Sequence, residues 1–387
     1  MNTTDALSAR RLAGEEEPLE ISFEDGLGYY PAKLGEDIGF KSGPGPYRIE
    51  RKLGWGTCSN VWLGLDKRYG DYCALKILTA NSTIDLFEEE MNELPFHLAI
   101  NGGELKFGAR KPDLSHPGRE HCMQLNEAFL IEHNVEDKKF NHAVCSFEVL
   151  DYIHEECGII HCDLNSENML LRLGTRGRTR EVIDSHLKTT ASAFTEEGQP
   201  RSQPLPATAI FDTEDIFVKL ADFGHGNWKS PPTHYPLGQY SLRAPELILG
   251  HIDFGTEIDI WSLGCVVYEL LTGNCLFKRA KSSDQRFVDK VQLMHMAGYT
   301  KQSIPPYLRD NGVKGERLLD ENCYPDGVRA FGMQQNLKDA LEYSNIFGNN
   351  KDELNRTHAF LRRCLTIDPR RRPSAVELLT DSWLKGD

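Results

Sequence analysis

Gly158-Ile159-Ile160-His161-Cys162-Asp163-Leu164-Asn165-Ser166-Glu167-Asn168-Met169-Leu170-Leu171 is the stretch on which the reading of this chain turns. An apolar pair leads into a His-x-Asp step. An asparagine follows the aspartate by five positions, and a Met-Leu-Leu run closes the segment. An ionised carboxylate only accepts hydrogen bonds, and a carboxamide oxygen is a hard donor of the kind small divalent cations prefer. An ordinary turn between two short strands has the same look, so the flanking segments must show what the loop is for.

The 387 residues are 40% apolar and 26% charged, which fits a globular protein of one large domain or two lobes. The formal charge is −14, from 44 basic and 58 acidic side chains. An acidic surface repels nucleic acid and favours basic partners. Ten cysteines are scattered without a C-x-x-C pair, which argues against a zinc site or a disulfide framework and for a reducing compartment, cytoplasmic or nuclear. No apolar run reaches the ~18 residues of a membrane span. The start, MNTTDALSARRLAGEEE, has no apolar signal region. The expectation is a monomer with neither a membrane nor a direct nucleic-acid partner.

Upstream of the loop, residues 1–46 are polar and rich in Gly and Pro, and read as an arm on a folded body. The pattern changes at Tyr47. YRIERKLGWGTCSNVWLGLD reads as two strands joined by a glycine turn, with Gly54-x-Gly56-x-x-Ser59-x-Val61 at its heart. A third strand, Cys73-Ala74-Leu75-Lys76-Ile77-Leu78, carries a lysine among apolar residues, and such a lysine needs an anionic partner unless it snorkels at an edge. STIDLFEEEMNELPFHLAI supplies a helix with candidate partners: Glu93 is favoured, Glu90 is the runner-up, and Ser82 or Thr83 is the expected cap. Pro95 predicts a break in that helix. Two strand-like segments follow and end at Phe147-Glu148-Val149-Leu150.

Downstream, residues 173–217 are rich in Ser, Thr, Pro and Arg without an apolar period, and read as a flexible insert. Val218-Lys219-Leu220-Ala221-Asp222-Phe223-Gly224 returns to a strand ending in an acid-bearing turn. Ala244-Pro245-Glu246, an apolar helix opening at Asp259, and Arg372 follow.

KLGWGTCSNVWLG, the SHPGR loop, FEVL, DYIHEECGIIHCD and LRAPE, in this order and spacing, resemble the SR-protein kinase family in its fungal form, over roughly residues 28–386. The resemblance implies an α+β, bilobal protein-kinase fold: an arm (1–46), a small β-rich lobe (47–150) and a larger helical lobe (151–386). It implies a serine/threonine kinase using ATP and Mg2+ on protein substrates, basic and Arg/Ser-rich ones. It makes Asp163 the base and puts Asn168 and Asp222 on magnesium. Lys76 lies on the phosphates, paired with Glu93, and Gly54 and Gly56 cover them. Leu53, Val61, Ala74, Phe147, Glu148 and Leu150 would line the nucleotide pocket. The resemblance further implies that Glu246 pairs with Arg372 and that Asp259 steadies the catalytic loop.

Two departures stand out. His161 follows Phe147 by only 14 positions, so the long helix normally found before the catalytic loop is cut to its last turns. Asn165 stands where the family places Lys or Gln near the γ-phosphate, which predicts slower phosphoryl transfer. Cys162 replaces the usual arginine, as in SR-protein kinases, and implies activity without activation-loop phosphorylation. A catalytically impaired kinase-fold binding protein is the alternative that Asn165, the short segment before the loop and Pro95 suggest. A P-loop NTPase is excluded because no G-x-x-x-x-G-K-[ST] occurs.

Overall fold

The alternation of apolar and polar residues from Tyr47 to Leu78 becomes, in the computed structural model, three long antiparallel strands. The structure describes residues 3–39, 45–87, 93–103, 112–122, 128–135, 138–146, 153–171, 176–205, 218–229, 238–325 and 336–385. The chain divides into two compact units, Met1–Tyr152 with Met169–Ala221, and Ile153–Asn168 with Asp222–Asp387. The first holds a six-stranded sheet and the second is helical, which is the bilobal α+β fold of a protein kinase.

In the first unit the arm begins with helix α1 (Thr3–Leu12), where the sequence suggested only irregular chain. Strands β1 (Asp37–Ile38), β2 (Tyr47–Trp55), β3 (Ser59–Asp66), β4 (Asp71–Leu78), β5 (Ala128–Val135) and β6 (Lys138–Ser146) form the sheet in the order β1-β2-β3-β4-β6-β5. The β2–β3 register shifts between Lys52 and Gly54, just before the glycine turn. Arm residues Ala32 and Ile38 join Ile49, Trp62, Leu75 and Ile77 in one buried cluster, so the arm contributes core to the unit.

The helix expected from Ser82 to Ile100 appears as α2 (Ala80–Phe87) and α3 (Glu93–Ile100). Thr79, rather than Ser82 or Thr83, caps α2: its Oγ1 accepts from the Ser82 amide at 3.1 Å. Pro95 is the third residue of α3 as described, and the five residues before Glu93 lie outside the described residues.

The insert is corrected most. Residues 176–205 are ordered, and helix α4 (Arg176–Thr189) lies against β2 and β4. Arg51 donates to His186 Nε2 at 2.8 Å and to the Thr190 carbonyl, and Tyr72 donates to Asp184 at 2.7 Å. The attachment is polar, with Ile183 the main buried apolar side chain, so it leaves no hydrophobic period to read. Downstream, the Gln203 amide donates to the Lys52 carbonyl at 2.9 Å.

In the second unit one π-helical turn, Ile153–Cys157, is what remains of the long helix among the described residues. Ile159–Ile160 pairs antiparallel with Asn227–Trp228. Helices α5 (Pro245–Ile248), α6 (Glu257–Thr272), α7 (Gln285–Thr300), α8 (Pro306–Asn311), α9 (Gly315–Leu318), α10 (Leu337–Tyr343), α11 (Lys351–Cys364), α12 (Ala375–Leu379) and α13 (Ser382–Lys385) complete it. None of the helices described is long and apolar enough to cross a membrane.

Two buried charges organise this unit. Arg372 forks onto Glu246 at 2.5 and 2.7 Å, donates to the carbonyls of Glu257, Thr366 and Ile367, and lies over the Trp261 ring. Every strong demand of that guanidinium is met, which is the condition for burying it. Asp259, in the first turn of α6, accepts from the His161 amide at 2.7 Å, the Cys162 amide at 2.9 Å and His154 Nε2 at 2.8 Å. Burial alone would raise its pKa. The hydrogen bonds and positive potential from His154 and His161 outweigh burial and hold it below the ordinary carboxylate value.

Removing the carboxylate strands two buried amides and the half-buried His154 imidazole. We therefore expect Asp259→Ala to cost about 3 kcal/mol or more in urea unfolding. Because the folded pKa is depressed, the stabilisation from Asp259 is present above the unfolded carboxylate range and is lost as pH falls through the folded value. Asp259→Asn should flatten that acid limb. In the first unit, burial first and then the Arg51 charge lower the pKa of His186. This keeps His186 a neutral acceptor, so stability should decline as pH drops below its unfolded value, and His186→Gln should remove that decline in a pH series of melting temperatures.

Candidate active site

The first unit holds a lysine and a glycine turn. Lys76 sits opposite Val61 on β3, and Ala74 lies two residues earlier on the same sheet face. The Lys76 ammonium is 2.6 Å from Glu93 Oε1, with side chains 12% and 3% exposed. Sequence left Glu93 and Glu90 open; Glu93 makes this pair, and Glu90 lies outside the described residues. Leu53 is half-buried at the shifted register before the turn. A Cβ added at Gly54 or Gly56 would meet nothing within 4 Å, and neither has a positive φ. Neither packing nor backbone conformation demands glycine there, so space left open above the turn is the remaining reason for the residue type.

The second unit holds the loop. Asp259 fixes its entry by holding the amides of His161 and Cys162, and Cys162 takes a left-handed φ of 63° to deliver Asp163. A non-glycine residue persists there because its surroundings fix it. Asp163 is held from both sides: Oδ2 accepts from Asn168 Nδ2 at 3.3 Å and Oδ1 from the Gln239 amide at 3.1 Å. Gly238 permits that approach, because a Cβ there would lie 2.3 Å from the Cys162 carbonyl. Asn168 Nδ2 also donates to the Asp163 carbonyl at 2.9 Å, which leaves its oxygen as the atom free to meet a cation.

Asn165 behaves differently from the expectation of an amide near the transferred phosphate. It is 3% exposed; its Nδ2 donates to the Asp163 carbonyl at 3.0 Å, and its Oδ1 accepts from the amides of Glu167 and Asn168. Both polar atoms are spent inside the loop, so Asn165 shapes the turn that presents Asp163 and Asn168.

Asp222 has φ 65°, and the Gly224 amide lies 3.4 Å from its Oδ1. The next residue, Phe223, is fully buried and packs its ring against His161 at 5.1 Å, which brings the Asp222 turn alongside the catalytic loop. Cys162 is no nucleophile: burial first, then the charges of Asp259 and Asp163, push its thiol pKa well up. Among the described residues no three His, Cys, Asp or Glu side chains converge as a ready metal cluster. Phe147, Glu148 and Leu150 lie outside the described residues. Sequence reasoning missed Gln239, Gly238 and His154. Gly238 within the Leu-Gly-Gln step had a signal of close approach, whereas a backbone donor such as Gln239 leaves none.

Residues 119–384 match the protein kinase domain family. A serine/threonine-protein kinase SRPK of Physarum polycephalum is 30% identical over 92% of this chain and 89% of its own length. Protein kinase dsk1 of Schizosaccharomyces pombe is 23% identical over 92% of this chain and 83% of its own. A serine/threonine protein kinase of Aspergillus fumigatus is 27% identical over 95% and 90%. With a kinase domain matched across most of its length and relatives aligned nearly end to end, the chain belongs to the protein kinase family, among the serine/threonine kinases of the SR-protein-kinase type.

Proposed function

We propose that this kinase transfers the γ-phosphoryl group of ATP to serine or threonine hydroxyls in basic, Arg/Ser-rich protein segments. The observation that carries the reading is the double hold on Asp163, with one carboxylate oxygen bonded to Asn168 and the other to the Gln239 amide, in a loop anchored by Asp259. A carboxylate so placed accepts the hydroxyl proton as the new O–P bond forms; the bond to the ADP oxygen breaks and ADP leaves. Lys76, kept extended by Glu93, neutralises the α- and β-phosphates. Gly54 and Gly56 let the main chain come close to them, and Leu53, Val61 and Ala74 offer the apolar surface for the base.

Asn168 and Asp222 suit Mg2+, since one carboxylate and one amide oxygen are hard donors and the Asn168 amide nitrogen is already turned to Asp163. Bound there, the ion supplies charge neutralisation on the phosphates. The net charge of −14 supports a basic substrate class, as does the kinship with SR-protein kinases. The protein acts as a monomer with neither membrane nor direct nucleic-acid partner, in the cytoplasm or nucleus. The impaired binding protein drew on Asn165, Pro95 and the short segment before the loop. Asn165 has a structural explanation here, and that reading gains no support from the relatives.

The test is radiolabelled phosphate transfer to an Arg/Ser repeat peptide beside an acidic peptide of equal length. We expect turnover on the basic peptide that falls as salt rises. Asp163→Ala should lower kcat about a hundredfold or more, with melting temperature little changed. Lys76→Ala should raise KM for ATP and lower kcat. Equal turnover by Asp163→Ala would overturn the assignment of the base, and preference for the acidic peptide would overturn the substrate class.

A further inference from the structure

The arm that precedes the sheet reaches the tip of the glycine turn. The Tyr29 hydroxyl donates to the Gly56 carbonyl at 2.6 Å, with the Thr57 carbonyl at 3.3 Å. Its ring stands edge-on to Trp55 at 6.3 Å and 88°, and the Trp55 indole donates to the Glu15 carbonyl at 3.1 Å. Leu7, Leu27, Tyr29 and Trp55 form a buried cluster of their own, with Ile21 packed against it.

The attachment continues down both strands that lead into the turn. On β2, Lys52 is buried and pairs with Glu16 at 2.8 Å and with Glu17. On β3, Asn60 donates to Glu17 at 3.1 Å and to the Tyr30 carbonyl at 3.2 Å. The insert closes the other side: the Ser202 amide and hydroxyl both donate to Glu16, and Gln199 Nε2 donates to the Glu17 carbonyl at 3.0 Å. Buried charges with this many partners resist displacement, because losing one partner leaves the other uncompensated. Arm and insert together form one brace around the turn.

The consequence follows from peptide planarity. In a trans peptide the carbonyl and the next amide N–H point in opposite directions. Holding the Gly56 carbonyl toward Tyr29 therefore turns the Thr57 N–H away from the arm, and the weaker contact at Thr57 biases the Cys58 N–H likewise. Neither amide donates to another described residue, while the Gly56 amide is spent on the Ser59 carbonyl at 2.8 Å. Two backbone donors are thus presented on the side of the turn away from the arm. Burial, with the nearby Cys58 and Glu17, pushes the Tyr29 pKa up, so the hydroxyl remains a donor across working pH.

The geometry points to Tyr29 as a positioning residue for the nucleotide: through the Gly56 carbonyl it orients the Thr57 and Cys58 amides toward the ATP phosphates. This rests on the reading of Gly54–Gly56 as the phosphate-covering turn. It makes the arm part of the ATP site through the Tyr29 hydrogen bond to the Gly56 carbonyl.

The test uses the full chain with Tyr29→Phe, which keeps the ring packing and removes the donor. Tyr30→Phe is the control, since the Tyr30 hydroxyl bonds Glu36 within the arm at 2.5 Å. We expect Tyr29→Phe to raise KM for ATP about fivefold with kcat and peptide KM held within about twofold, the size of one lost hydrogen bond. Amide exchange across residues 54–59 should quicken by a similar factor. Tyr30→Phe should change neither. Unchanged KM for ATP and unchanged exchange in Tyr29→Phe would overturn the proposal, and so would an equal effect in Tyr30→Phe, which would mean general loosening of the arm. If the protein phosphorylates no peptide, the kinase reading fails by itself. Amide exchange and binding of a non-hydrolysable ATP analogue then still decide the role of Tyr29.

Discussion

A single buried carboxylate carries the catalytic loop. Asp259 lies at the start of α6 and is 3% exposed, yet it holds two consecutive loop amides and one imidazole. Leaving such a charge unpaired would cost about 3–5 kcal/mol, a large share of a typical domain's net stability, so loop and helix are ordered together. Cys162 tolerates a left-handed backbone only because its amide is held from below, and Asp163 gains its orientation from that bend. His154 completes the arrangement from the π-helical turn Ile153–Cys157. The segment before the loop is short, and its single histidine provides a polar anchor where a longer helix would have provided apolar area.

The second constraint lies in the first unit, and it too is electrostatic. Lys52, Glu16 and Glu17 form a buried triad beside the glycine turn, tied to both the arm and the insert. Replacing such a triad with hydrocarbon can be neutral for stability, so its presence is better explained by the register it imposes. It fixes where the arm meets β2 and β3, and Tyr29 with it. Segments that looked peripheral in the sequence are therefore joined to the strands that carry the turn.

Much of this was legible before any coordinates. The strand alternation around Lys76, the glycine turn and the two acid-bearing loops are local patterns, whereas the Glu246–Arg372 pair, 126 residues apart in sequence, came only from the family resemblance. What escaped was held by polar or long-range contacts. Helix α4 has no apolar period because Arg51 and Tyr72 hold it through hydrogen bonds. Asn165 looked like a substrate contact because its position matches one. Its buried amide, spent on three bonds within the loop, became visible only in three dimensions.

The central claim is that Asp259 holds the catalytic loop in its working shape despite the short segment before it. Residue-resolved amide hydrogen exchange of the unmodified protein tests it most directly. The account predicts that the His161 and Cys162 amides exchange only through global unfolding, as slowly as the core of α6. Exchange of those two amides at the rate of exposed loop residues would contradict it.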